Sequence, residues 1–164
     1  MTYSIVARDP AAAQVGAAVQ SAWFGTATAV LLVEAGVGAA TSQAMGERAF
    51  AYQALDRIAS GATPARALDA LMAGEAASSV SQVGLIDLAS VPAAFTGAAC
   101  VPDAGHHVGL DCVAQANMMV RPGIPEAMVA AFDTAPGDLA DRLLAALDAA
   151  QELGGDYRGK QSAG

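Results

Sequence analysis

Thr2-Tyr3-Ser4-Ile5-Val6-Ala7-Arg8 and, beyond the Asp9-Pro10 pair, Gln14-Val15-Gly16-Ala17-Ala18-Val19-Gln20-Ser21 are the stretches whose reading decides the fold. The first reads as a strand, and Asp-Pro marks a turn because proline fixes φ and lacks a ladder donor. In the second, Val15, Ala17 and Val19 fall on one face, the period of a strand. Two such strands joined this closely predict an antiparallel hairpin.

Working outward, Thr26 to Glu34 is a third apolar run rich in β-branched residues, and Ala35-Gly36 breaks it. Val37 to Ala44 reads as a further extended segment. The period then changes. Phe50, Ala54, Leu55 and Ile58 recur at helical spacing within 47–60, closed by Gly61. Thr63 as N-cap and Pro64 at the first helical position start a second helix, with Leu68, Leu71 and Met72 on its buried side and Gly74 at its end. Val80 to Leu88 returns to strand, and Pro92 to Thr96 is its expected partner. Gly97-Ala98-Ala99 is small enough for another backbone to come close. Val108 to Asn117 reads as one more strand. Pro125 opens a helix to about Thr134. Leu139, Leu143, Leu144, Leu147 and Leu153 mark an amphipathic helix that starts near Asp138 and stops at Gly154-Gly155.

Strands come first, then two helices, then strands, then two helices. This order does not alternate βαβα, so the fold class is α+β on an antiparallel core. The length of 164 residues suits one domain spanning 1–164. Aromatic residues are only 5% of a chain that is 54% hydrophobic. Small side chains, chiefly alanine, therefore predict closely approaching layers.

The formal charge of −8 repels phosphate backbones and anionic membranes, so neither nucleic acid nor a membrane is an expected partner. The N-terminus has no signal-peptide pattern and no apolar run spans a bilayer, so the expected compartment is the cytoplasm. Cys100 and Cys112 read as buried, reduced thiols, with a single bridge as the alternative.

Most motif tests are negative. Gly36-Val37-Gly38 half-matches a dinucleotide fingerprint but lacks the third glycine and the following helix. Asp103, His106, His107 and Asp111 are too poorly spaced for a metal, because adjacent histidines on an extended chain face opposite ways. The expected structure there is a turn with one buried and one exposed imidazole. No cofactor and no metal are expected.

Thr2 differs because of its position. Methionine removal before a threonine makes it the first residue. Its α-amine, ordinarily titrating at about 7.7–8.0, then sits beside its own hydroxyl. One residue would supply both nucleophile and base. A small residue after Met1 is also common for no catalytic reason.

The motifs around it are collinear over almost the whole chain. They are Thr2–Asp9, Gly16–Ser21, Ala35–Ala39, Ser42-Gln43-Ala44, Gln82-Val83-Gly84, Phe95–Cys100, Gly105-His106, Gln115–Met118 and Gly154–Ala163. Together they resemble an Ntn-hydrolase-like family catalogued as domain of unknown function 1028. The resemblance implies the four-layer αββα sandwich of N-terminal nucleophile hydrolases. It also implies hydrolysis of a non-peptide C–N bond in a small linear amide or ureido compound, of the ureidoacrylate kind met in pyrimidine breakdown.

By position, Thr2 becomes the nucleophile. Ser21, Gln43 and Asn117 become hydrogen-bond donors to the amine or the oxyanion. Asp156 and Arg158 become partners of the amine or of a substrate carboxylate, and His106 a polar contact. Each has a structural alternative: strand-edge capping for Gln43 and Asn117, a loop ion pair for Asp156 and Arg158. Relatives continue past Gln161-Ser162-Ala163, so the resemblance implies either a fragment or a domain shortened at its C-terminus by a strand. The competing function is a non-catalytic binding or oligomerisation module, a homo-oligomer that keeps the fold.

Overall fold

The computed structural model describes residues 2–73 and 76–164. The order of elements is β1 (Thr2–Asp9), β2 (Gln14–Ser21), α1 (Thr26–Val30), β3 (Leu31–Glu34), β4 (Gly38–Ala44), α2 (Ala49–Ala59), α3 (Pro64–Met72), a 3₁₀ turn (Ala76–Val80), β5 (Ser81–Asp87), β6 (Ala93–Thr96), β7 (Gly105–Val108), β8 (Cys112–Asn117), α4 (Ile124–Thr134), α5 (Leu139–Glu152) and β9 (Ser162–Ala163). Among the described residues these make two antiparallel sheets and five α-helices, a mixed α+β fold. One sheet runs β7-β8-β1-β2-β9 and the other β3-β4-β5-β6.

The alternation in β1 sets the architecture. Tyr3, Ile5 and Ala7 join Cys112, Ala114 and Ala116 of β8 in a core against Met128 and Phe132 of α4 and Leu143 and Leu147 of α5. The other face of β1 turns toward the second sheet. There Val6 packs with Val113 of β8, Ala39 of β4 and Ile86 of β5. The outer side of the second sheet, through Ala40, Val83 and Leu85, buries Phe50, Leu55 and Ile58 of α2 and Leu68 and Leu71 of α3. A period of two puts successive residues on opposite faces. One eight-residue strand therefore serves two cores.

The space between the sheets is apolar in its middle and polar at one end. Thr2 and Ser4 precede Val6 on the facing side of β1, Thr41 and Gln43 follow Ala39 on β4, and Gln115 and Asn117 follow Val113 on β8. All six polar residues are buried. The sheets approach closely at Gly84. A Cβ there would meet Thr41 Oγ1 at 2.9 Å, Gln115 Oε1 at 3.3 Å and Val113 Cγ1 at 3.4 Å. We expect Gly84→Ala to destabilise the fold by about 1–3 kcal/mol, the usual cost of overpacking. Urea denaturation would measure it, and an unchanged midpoint would show that the seam has slack.

At the far end of β1, Arg8 ties the hairpins together. Its Nε donates to Asp111 Oδ1 at 2.8 Å, and its Nη1 donates to the Ser90 carbonyl at 2.7 Å and the Asp87 carbonyl at 3.1 Å. Burial works against ionisation of Asp87. Hydrogen bonds from the Ser90 side chain and the Ala89 and Ser90 N–H groups, with the Arg8 charge, outweigh it and lower its pKa from 3.8.

The structure corrects several expectations. The run from Thr26 to Glu34 is not one strand. Gly25 adopts a left-handed φ of 64°, and Thr26–Val30 coils into a short helix before β3 begins. Thr26 and Val30 are buried, and Ser162 Oγ holds the Thr26 N–H at 3.1 Å, so tertiary packing overrides β-propensity. The run from Val108 to Asn117 is split by a turn whose Leu110 carbonyl and Asp111 carboxylate both bond Arg8. The expected turn around the histidines is instead β7, with both His106 and His107 exposed. Leu144 points outward at 58% exposure. Both cysteines are free thiols, and only Cys112 is buried. The Gly74 helix stop lies outside the described residues. The small stretch at Gly97 does receive a close backbone: its N–H bonds the Ser81 carbonyl, and the Ala99 N–H bonds that of Ser79.

Candidate functional site

Thr2 heads the central strand of its sheet, paired with Ser21 of β2 on one side and Asn117 of β8 on the other. The hairpin and the β1–β8 ladder thus place three of the sequence-derived residues in one row. The Thr2 hydroxyl donates to Ser21 Oγ at 3.2 Å. Gln43 comes from the facing sheet. Its Nε2 donates to the Thr2 carbonyl at 3.3 Å, and its Oε1 accepts from Ser4 Oγ at 2.7 Å.

The residue that organises this group is Gln82 on β5, for which sequence reasoning gives no role. Its Nε2 lies 2.8 Å from the Ala116 carbonyl, 3.1 Å from the Gly105 carbonyl and 3.1 Å from Thr96 Oγ1. A carbonyl oxygen only accepts, so the amide nitrogen must face these groups. Gln82 Oε1 then faces the site, accepting Asn117 Nδ2 at 2.7 Å and Gln43 Nε2 at 3.0 Å. An amide nitrogen carries two hydrogens. Gln43 directs both at protein acceptors, Gln82 and the Thr2 carbonyl, and so acts as a strut. Asn117 directs one at Gln82 and keeps a second hydrogen and an oxygen for other work. The only sequence trace of Gln82 is its place in the Gln82-Val83-Gly84 block.

Two cavities open here. A larger one, about 390 Å³, is lined by Thr2, Thr26, Val30, Gln43, Met45 and Trp23 among others. A smaller one, about 170 Å³, is lined by Asn117, Met118, Cys100, Val101, Arg158 and Trp23 among others. Trp23, Ala44 and Met45 belong to both. Ala44 and Met118, the residues after Gln43 and Asn117, have positive φ values of 65° and 58°. Non-glycine residues rarely adopt this conformation, and it gathers at functional sites. Here it turns β4 and β8 aside as they reach the cavities.

Asp156 is buried and bridges Met119 in an isolated ladder contact. Its carboxylate accepts from the Ala22 N–H at 3.4 Å, the Arg158 N–H at 2.8 Å and Arg158 Nη2 at 3.1 Å. Asp156 and Arg158 therefore do form the loop ion pair, and Arg158 also reaches the smaller cavity. His106 lines neither cavity. Its Nδ1 lies 2.9 Å from Thr96 Oγ1, so it reaches Gln82 only through that hydroxyl. Although the residue is exposed overall, partial desolvation of its ring, then the charge of His107, lower its pKa, and Glu126 works in the opposite direction. Cys100 is held up in pKa by burial and donates to the Ser81 carbonyl at 3.4 Å, which leaves it a poor nucleophile.

Trp23 carries no distinguishing signal in the sequence, and Ser162 carries only its place in the Gly154–Ala163 block. Ser162 Oγ donates to the Trp23 carbonyl at 2.6 Å and accepts the Thr26 N–H, so β9 pins the loop that carries Trp23. Among the described residues, no three of His, Cys, Asp and Glu converge as a metal set. Nor is any helix among them long and apolar enough to cross a membrane.

The fold and this site define an α+β protein of two antiparallel sheets, with a buried amide network joining the sheets at the head of the first strand. The chain belongs to the Family of unknown function (DUF1028), whose profile matches residues 2–164. Among solved structures it is similar to a Silicibacter pomeroyi protein assigned to the same family. That protein is 28% identical, with a TM-score of 0.91 over 99% of this chain and 73% of the other. No curated protein matches the chain.

Proposed function

We propose that the chain is an N-terminal nucleophile amidohydrolase acting on a small linear amide, with Thr2 as nucleophile once Met1 is removed. The single observation that carries this reading is the buried row Ser21–Thr2–Asn117, whose Thr2 and Asn117 each line one of two adjoining cavities and which is braced from the facing sheet by Gln43 and Gln82. The layering of α4 and α5, sheet, sheet, then α2 and α3 supports the four-layer sandwich of that superfamily.

In this mechanism the freed α-amine takes the Thr2 hydroxyl proton as Oγ bonds to the amide carbon. In this reading the second Asn117 Nδ2 hydrogen stabilises the oxyanion, an interaction typically worth about 2.7–4 kcal/mol in such sites. The C–N bond then breaks, and the amine leaves with the proton. Water hydrolyses the resulting ester and restores Oγ–H. No metal or cofactor enters the scheme. A soluble, cytoplasmic setting and self-association belong to the same proposal.

The alternative is a non-catalytic binding module. The exposed Trp23 and Phe24 beside the cavity, at 65% and 82% exposure, favour it. The intact mass of protein purified from its native host separates the two. Loss of Met1 in the bulk of the protein is the expected result. Full retention leaves Thr2 without a free amine and sinks the hydrolase reading.

A further inference from the structure

Of the two cavities, Thr2 lines the larger and is not among the described lining residues of the smaller, and the reverse holds for Asn117 and Arg158. Yet Thr2 and Asn117 are direct cross-strand partners. A bond attacked by Thr2 Oγ therefore sits at the boundary between the two spaces. The acyl carbon becomes bonded to Oγ, so the acyl group stays in the larger cavity while the amine departs toward the smaller one. We propose that the substrate is an amide with an apolar acyl arm of several carbons and an anionic amine arm, and that Trp23 and Met45 set this division. The proposal rests on the hydrolase reading and narrows it.

Three features lead there. The larger cavity has about 390 Å³ and is walled by Trp23, Ala29, Val30, Ala44 and Met45, with no charged side chain among its described lining residues. A charged arm placed there would be desolvated without a partner. A carbamoyl group would put only an amino group into it, leaving most of the space to water. Second, Arg158 is the charged side chain among the smaller cavity's described lining residues; its Nε and Nη2 hold Asp156, but it is the partly exposed member of that pair, at 32% against 0%, so the cavity wall carries its positive charge. Third, Trp23 and Met45 are 65% and 75% exposed although both border the two cavities. Large apolar side chains left open at a cavity mouth mark a surface that a ligand covers. Trp23 is also held in place, through the Ser162 bonds to its carbonyl and to Thr26.

The test uses N-carbamoyl-, N-acetyl-, N-butyryl- and N-hexanoyl-β-alanine with the Met1-free protein. The expected result is a kcat/KM that rises about threefold to fourfold per added methylene, the gain from burying one methylene group. Trp23→Ala should flatten that rise. N-hexanoylpropylamine, which lacks the carboxylate, should show a raised KM. A flat series, or preference for the carbamoyl compound, overturns the proposal. Binding is read separately. Trp23 is the chain's single tryptophan, so its emission reports occupancy of the mouth. With Thr2→Ala protein, emission titrations should give tighter binding with each longer acyl arm. Length-dependent binding without turnover in the parent protein would sink the hydrolase reading, and the substrate with it, while the assignment of the larger cavity to an apolar arm would stand. Length-independent binding would sink this inference alone.

Discussion

Thr2→Ala is expected to abolish turnover while leaving the fold intact. The substitution removes Oγ and nothing else that the chemistry needs. Loss of a nucleophile in enzymes with an activated hydroxyl lowers kcat by about 10⁴-fold or more, the remainder coming from binding and oxyanion stabilisation. The structural cost is small by comparison. Thr2 is the first residue of its strand and its hydroxyl bonds Ser21, an interaction worth roughly 1 kcal/mol net. Its backbone partners on β2 and β8 are unchanged. Thr2→Ser should retain activity, because it keeps Oγ and the amine in the same relation. Amine release measured on both variants, with near-ultraviolet circular dichroism to follow packing, checks the prediction. Undiminished turnover in Thr2→Ala would move the nucleophile elsewhere. Cys100 is a weak replacement, since burial disfavours its thiolate.

How far the sequence can be read depends on the range of the forces involved. The β1–β2 hairpin is legible because its alternation and its turn are local, and Gln14–Ser21 has the predicted bounds. Thr63-Pro64 begins its helix as expected, with Thr63 Oγ1 accepting the Arg66 N–H at 3.4 Å. The Thr26–Val30 helix is not legible, because the contact that stabilises it comes from Ser162, far along the chain. Thr2, Ser21, Gln43 and Asn117 emerge through motifs, and the structure brings all four to the same strand ends. His106 belongs to the same motifs but lies on the outer side of Gln82. Gln82 itself cannot be singled out. A buried glutamine on a strand gains meaning only from its partners, and Asn117 lies 35 residues away.

Replacing Gln82 should separate a residue that fills space from one that orients amides. Gln82→Leu keeps volume but strands the Ala116 carbonyl and the Asn117 and Gln43 amide hydrogens. Each buried group left unsatisfied costs roughly 1–3 kcal/mol, so the urea midpoint should fall clearly. Freed from Gln82, Asn117 can rotate about its last bond, and kcat should drop by about 10²-fold as the oxyanion donor is misplaced.

Gln82→Glu gives the sharper result because it depends on pH. As a neutral acid, the introduced side chain can donate one proton to the Ala116 carbonyl and still accept from Asn117 and Gln43. As a carboxylate it faces carbonyl oxygens it cannot bond. Full burial at this position and those carbonyls both raise the folded-state pKa above the unfolded value of about 4.3. The stability relative to the parent protein is then fully present below the unfolded pKa and is lost as pH rises toward the folded one. The ratio of variant to parent kcat/KM should fall in the same direction between about pH 5 and about pH 8, because repulsion between the carboxylate and the Gly105 and Ala116 carbonyls shifts the side chain and carries the Asn117 amide bonded to it. A ratio that stays constant across that range, with Gln82→Leu as active as the parent, would mean that Asn117 and Gln43 hold their orientations without Gln82.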